Sequence, residues 1–122
     1  MTIQECYEKM GGDLNDVMSR LMTEQRVAKF MLRFPADPSY NGLIASLDDQ
    51  KYEDAFRFAH TIKGVAQNLG FQKLYLSVNE LTEALRPTHE LPAREVILSL
   101  LEPVKADYQK TIDTIAAFQS EM

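Results

Sequence analysis

Seven small or apolar residues between positions 55 and 69 recur at helical spacing, and no other feature constrains the chain as strongly. With Ile62 as reference and steps of about 100° per residue, Ala55, Phe58, Ala59, Ile62, Val65, Ala66 and Leu69 fall within roughly 60° of one line. The spacing predicts a helix over about Tyr52 to Leu69. Its apolar face runs the whole length, so it needs partner helices to cover it. Glu53 and Asp54 occupy the first turn, where the helix dipole favours negative charge. Gly70 suits the left-handed position just past the end.

The rest of the chain keeps the same period. Residues 2–10 read as a short helix broken by Gly11-Gly12. Asp13 is expected to cap a second short helix with Leu14, Val17, Met18 and Leu21 on one side. Thr23 is expected to start a third, carrying Val27, Phe30, Met31 and Phe34, which Pro35 and Pro38 end. Ser39 is read as the cap of the next helix, with Tyr40, Leu43, Ile44 and Leu47, and residues 48–51 as a tight connection. Beyond Gly70, Phe71, Leu74, Val78, Leu81 and Leu85 mark another helix. Pro87 and Pro92 bracket a loop containing His89. The last region, about 93–120, carries Ile97, Leu101, Val104, Tyr108, Ile112, Ile115 and Phe118. Pro103 is expected to kink it or divide it in two. No convincing strand interrupts this pattern. The expected fold is all-α, with residues 1–122 as one domain. An antiparallel up-down four-helix bundle spans about 39–120, and short capping helices span about 1–36.

Composition excludes several function classes. The chain has 122 residues, 18 acidic and 13 basic, for a net charge of -5, and the basic residues form no block. Nucleic acid is therefore not an expected partner. The single Cys6 rules out an internal disulfide framework and a multi-cysteine metal site. The amino terminus lacks a basic segment followed by an apolar run, and no run approaches the roughly 18 apolar residues of a membrane span. A cytoplasmic, monomeric protein without a membrane partner is the expectation, and the start at Met1 favours a free-standing one.

The other face of the central helix holds the candidate chemistry. Phe56, His60, Lys63, Gly64 and Gln67 fall roughly 100–200° from the core line. His60 thus projects into solvent from a well-anchored helix. Glycine in a helix interior costs about 1 kcal/mol relative to alanine. At i+4 from His60, Gly64 leaves the surface beside the ring bare, which suits close approach by another molecule. Lys63, at i+3, can place an ammonium beside a phosphoryl group on the ring. The Gln67 amide can donate to a phosphoryl oxygen. Phe56 shares this face as a candidate partner contact, with packing under a neighbouring segment as the alternative, and Arg57 borders it. His89 reads as a surface residue and Cys6 as a packing residue. Spacing alone leaves two readings of His60 open, a phosphoryl carrier and an ordinary solvated histidine.

The run Ala59-His60-Thr61-Ile62-Lys63-Gly64, with Ala66, Asn68, Leu69 and Gly70 after it, resembles the motif of the histidine-phosphotransfer (HPt) domain family. Ile62 stands where that motif usually has leucine. Gly12-Asp13-Leu14 with Met18 to Leu21, and Leu81 to Arg86, resemble segments of bacterial single-domain members. The resemblance implies a phosphorelay intermediate in two-component signalling. His60 would be the phosphoacceptor, Lys63 and Gln67 would stabilise the phosphoryl group, Gly64 would give clearance, and Phe56 and Arg57 would dock the partner. It implies response-regulator receiver domains and a hybrid histidine kinase as partners. It implies no cofactor and no metal on this chain, with Mg²⁺ on the receiver. The chain would be a phosphocarrier without ATP-dependent kinase activity. Some relatives place a hydrogen-bonding glutamine on the following helix, where this chain offers Asn79 or Thr82. The alternatives are a non-catalytic helical binding module for a receiver or kinase, and the phosphoacceptor domain of a larger chemotaxis-type histidine kinase.

Overall fold

The computed structural model describes all residues, 1–122. It is all-helical: α1 (Ile3–Met10), α2 (Leu14–Leu21), α3 (Glu24–Arg33), a 3-10 turn (Phe34–Ala36), α4 (Ser39–Asp48), α5 (Tyr52–Asn68), α6 (Gln72–Leu85) and α7 (Arg94–Ser120). No helix is long and apolar enough to cross a membrane.

Local chemistry sets the starts of α1, α2 and α3. Thr2 and Glu5 form a capping box, with the Glu5 N–H donating to Thr2 Oγ1 at 3.0 Å and the Thr2 N–H to Glu5 Oε1 at 3.2 Å. This satisfies two of the backbone donors that a helix start leaves free. Asp13 and Thr23 cap α2 and α3 as their types predict, accepting from the N–H groups of Asp16 and Arg26 at 3.0 and 3.2 Å. Ser39 does not act as a cap. It lies within the first turn of α4, and its own N–H donates to Asp37 Oδ1 at 2.8 Å. A carboxylate two residues upstream reaches that donor and leaves the serine no such role.

Two points of the sequence reading are narrowed further on. Pro103 does not divide the last region, and α7 runs unbroken for 27 residues. The proline removes one backbone donor, but Ile97, Leu101, Val104 and Ile115 are buried on either side of it. Burial of that stripe outweighs the single lost bond. Phe30, placed by its period among the apolar residues of α3, is 38% exposed, while Val27 and Met31 are fully buried.

α5 packs against both α4 and α6, and α6 packs against α7. α4 approaches α5 so closely that a Cβ on Gly42 would stand 2.5 Å from the Phe58 ring. Arg86 at the end of α6 covers Phe56 near the start of α5. α7 touches α4 twice. The Arg94 guanidinium donates to the Leu47 carbonyl at 3.0 Å, and Tyr108 stacks on Tyr40 with ring centroids 3.7 Å apart. α1 lies against α7, α3 touches both α2 and α7, and the amino group of Met1 pairs with Glu121. The buried apolar side chains, 24 in number, form one cluster drawn from every helix. Cys6 belongs to it, 3.7 Å from the Met31 sulfur, and burial pushes its thiol up to about 11.

Candidate functional site

α5 presents the candidate residues because its other side is committed to the core. Ala55, Ala59, Ile62 and Ala66 are buried. Phe58 and Val65 are half-buried at the edges of that stripe. On the opposite side His60, Gly64 and Gln67 are exposed and Lys63 is half-buried. The ring of His60 rests 5.8 Å from that of Phe56, tilted by 49°.

The surroundings of Gly64 are open. A Cβ built there meets nothing within 4 Å. No helix of this chain packs on it, so intrachain packing does not account for the glycine. One turn further along, Arg20, Gly64, Gln67 and Asn68 line a polar notch of about 350 Å³.

The carboxyl end of α5 is held from the amino-terminal segment. Arg20 donates from Nη2 to the carbonyls of Gln67 and Asn68 at 3.0 and 2.8 Å, and from Nε to Asn68 at 3.2 Å. Its remaining contacts go to both oxygens of Asp16. That pairing holds the Asp16 carboxyl below its usual range. A guanidinium on the last carbonyls of a helix also matches the dipole. The buried Tyr7 hydroxyl donates to the Leu69 carbonyl at 2.7 Å. Gly70 adopts φ +70, and its carbonyl accepts from the Asp13 N–H at 2.8 Å. Sequence reasoning missed Arg20. Its i,i+4 relation to Asp16 is visible in the chain, but the carbonyls it caps lie 47 and 48 residues away.

The other flank is formed by the end of α6. Phe56 is half-buried, and the Arg86 guanidinium lies 5.2 Å from its ring centroid. Arg86 pairs in turn with Glu83 at 2.6 Å. Phe56 is thus partly covered by a neighbouring segment, and Arg86 is a second residue that sequence reasoning did not single out. Arg57 is exposed and pairs with Asp54. Thr82 is fully buried, and its hydroxyl donates to the Val78 carbonyl at 2.7 Å. It therefore offers nothing to the His60 surface, while Asn79 is half-buried. His89 is exposed in the loop between α6 and α7, at hydrogen-bond distance from the carbonyls of Glu83 and Glu90. No group of three His, Cys, Asp or Glu side chains is placed to hold a metal ion.

The family described as Hpt domain has a model that matches residues 36–118 of the 122. No curated protein and no solved structure matches the chain. The matched span begins within the 3-10 turn, so it contains α4–α6, nearly all of α7 and the whole His60 face, and leaves α1–α3 outside.

Proposed function

The chain belongs to the Hpt domain family, and we propose that His60 is the residue on which it carries a phosphoryl group. Members of this family are phosphocarrier modules of phosphorelay signalling rather than kinases, and they act with response-regulator receiver domains. In this reading α4–α7 form an antiparallel up-down four-helix bundle, and residues 1–36 cap it. The contacts of Gly42 with Phe58, Phe56 with Arg86, and Tyr40 with Tyr108 support that arrangement. The protein works in the cytoplasm as a monomer, receiving phosphoryl groups that originate from a hybrid histidine kinase.

The transfer step follows from the chemistry of the ring. A nitrogen of neutral imidazole attacks the phosphorus of a receiver's aspartyl phosphate in line. An N–P bond forms, the P–O bond to the aspartate breaks, and the electron pair leaves on the carboxylate. The ring becomes a phosphoimidazolium and releases its other N–H proton to water. The reverse step returns the group to another receiver's aspartate. Such a transfer is catalysed by positioning and charge neutralisation. Lys63 offsets phosphoryl charge, and the Gln67 amide donates to a phosphoryl oxygen. The receiver brings Mg²⁺. Phe56 and Arg57 meet the partner beside the ring.

One observation carries this reading: the bare surface at Gly64, one turn from an exposed histidine. A helix has no internal reason to keep a glycine there. A second protein that must bring its aspartate to the ring supplies one. Incubation with a phosphorylated receiver domain is expected to label the chain with acid-labile, base-stable phosphate, and His60→Gln to abolish the label. A label that persists in that variant would move the phosphoacceptor elsewhere.

A further inference from the structure

α3 turns a face to solvent that the His60 site does not use. Arg26, Lys29, Phe30 and Arg33 stand at i, i+3, i+4 and i+7, which places them in one stripe along the helix. All four are exposed. Buried Val27 and Met31 lie to the other side, and Glu24 is roughly opposite the stripe. None of the three cations is in an ion pair, as is true also of Lys9, Lys51, Lys63, Arg94 and Lys110, but no other helix gathers three such cations in one stripe. The Arg33 guanidinium lies 5.5 Å from the Phe30 ring centroid, which holds both in place. In a chain of net charge -5, three unpaired cations on one helix are a local excess of the opposite sign.

Two members of the stripe, Phe30 and Arg33, reach the side of α5 next to the Gly64 notch. Phe30 and Arg33 form one side of a groove of about 250 Å³, and Val65 and Asn68 of α5 line the other. Asn68 also lines the notch that contains Gly64. The two depressions share that wall, and Gly64 is one turn from His60. Asp37 is the carboxylate in the groove, and it already accepts from the Ser39 N–H.

We infer that the α3 stripe is a second docking element for the receiver domain, taking an acidic patch of that partner with an apolar side chain seated beside Phe30. This rests on the phosphocarrier reading above. Charge complementarity selects the partner. An acidic protein surface meets three cations and an aromatic ring at one edge, while the net charge of -5 repels the larger polyanionic field of nucleic acid or an anionic membrane. Contacts of this kind speed encounter and fix orientation without touching the reacting atoms. They are screened by salt.

The test uses the full chain and the variant R26Q/K29Q/R33Q, with each single glutamine variant beside it in case the triple variant folds poorly. The probe is the receiver domain, phosphorylated with radiolabelled acetyl phosphate, that transfers fastest to the unaltered chain. The triple variant is expected to lower kcat/KM for transfer about tenfold at low ionic strength, with the difference closing in high salt and the rate at saturating receiver unchanged. Each single variant is expected to show part of the loss. Labelling of His60 by potassium phosphoramidate, a small donor that needs no docking, is expected to be the same in all. Equal receiver-to-chain transfer in variant and unaltered chain at every salt concentration overturns the docking element and leaves the phosphocarrier reading standing. Phosphoramidate labelling without transfer from any receiver overturns that reading instead. Two other results reassign the stripe: stripe-dependent sedimentation with phosphatidylserine vesicles while transfer is unchanged, or a dimer of the unaltered chain that the triple variant dissolves.

Discussion

Gly42 and Gly64 look alike in the chain, each a glycine inside a helix, and the structure gives them opposite meanings. At Gly42 an added Cβ would stand 2.5 Å from Phe58, so the glycine lets α4 and α5 meet. At Gly64 an added Cβ meets nothing within 4 Å. Gly64→Ala is therefore expected to raise stability by roughly 0.5–1 kcal/mol in a urea titration, whereas Gly42→Ala lowers it by about 1–3 kcal/mol through overpacking. Gly64→Gln is expected to keep the fold and its phosphoramidate labelling while losing receiver transfer at least tenfold, a drop of about 1.4 kcal/mol in transition-state stabilisation. Transfer to Gly64→Gln at the unaltered rate would remove the clearance role. At this scale the sequence was informative about orientation. The period around Ile62 put His60, Lys63, Gly64 and Gln67 on the solvent side. It did not separate a glycine with an internal neighbour from one with open space beside it, because the neighbour of Gly42 belongs to another helix.

Among the elements, the carboxyl end of α6 has an unusual closure. His89 Nε2 lies 2.8 Å from the Glu83 carbonyl and Nδ1 lies 2.9 Å from that of Glu90. A neutral ring has one N–H, so only the imidazolium donates to both oxygens. The cation also faces the negative end of the α6 dipole. The Glu90 and Glu83 carbonyls raise the His89 pKa above its usual 6.5, the Glu83 carboxylate adds to that, and the Arg86 guanidinium opposes it. Lys63, across on α5, acts on the same Glu83. A folded pKa raised above the unfolded one contributes stability that is full below the unfolded value and is lost as pH rises through the folded value. Amide exchange in the 86–93 loop, corrected for intrinsic rates, is therefore expected to be slowest near about pH 6 and faster by about pH 8. His89→Gln is expected to flatten that dependence. Protection that ignores pH in the unaltered chain would contradict the imidazolium. Nothing in the sequence announced this closure. His89 read as a residue between two prolines, and its partner at Glu83 depends on how the chain leaves α6. The caps at Asp13 and Thr23 were legible because a cap is a contact over three residues. Pro103 leaves α7 undivided for the reverse reason, since its cost is local and the burial that outweighs it is not.

The whole molecule joins a segment outside the family match to the helix that carries the candidate site. Ile3, Cys6, Tyr7, Met10, Val17, Val27, Met31 and Phe34 are eight of the 24 core side chains, and all precede residue 36. At about 1.5–3 kcal/mol for each fully buried side chain, their loss is comparable with the ~5–15 kcal/mol that holds a domain folded. A fragment of residues 36–122 is therefore expected to lose the cooperative thermal transition of the full chain. A fragment that melts at the same temperature would show that α1–α3 are dispensable. The sequence by itself determined the helices, the caps at Asp13 and Thr23, the face α5 turns inward and the motif around His60. All of these are set by contacts within a turn or two of chain, which spacing encodes directly. Only the tertiary structure decided that Arg20 and Tyr7 close the end of α5, that Arg86 covers Phe56, that Thr82 is spent inside the core and that Phe30 and Arg33 of α3 line a groove sharing Asn68 with the Gly64 notch. Those depend on which helix docks beside which, and a periodic apolar stripe specifies that a face must be covered without specifying by what. The run from Phe58 to Gly70 carries the family resemblance on its own. The room around it belongs to the fold.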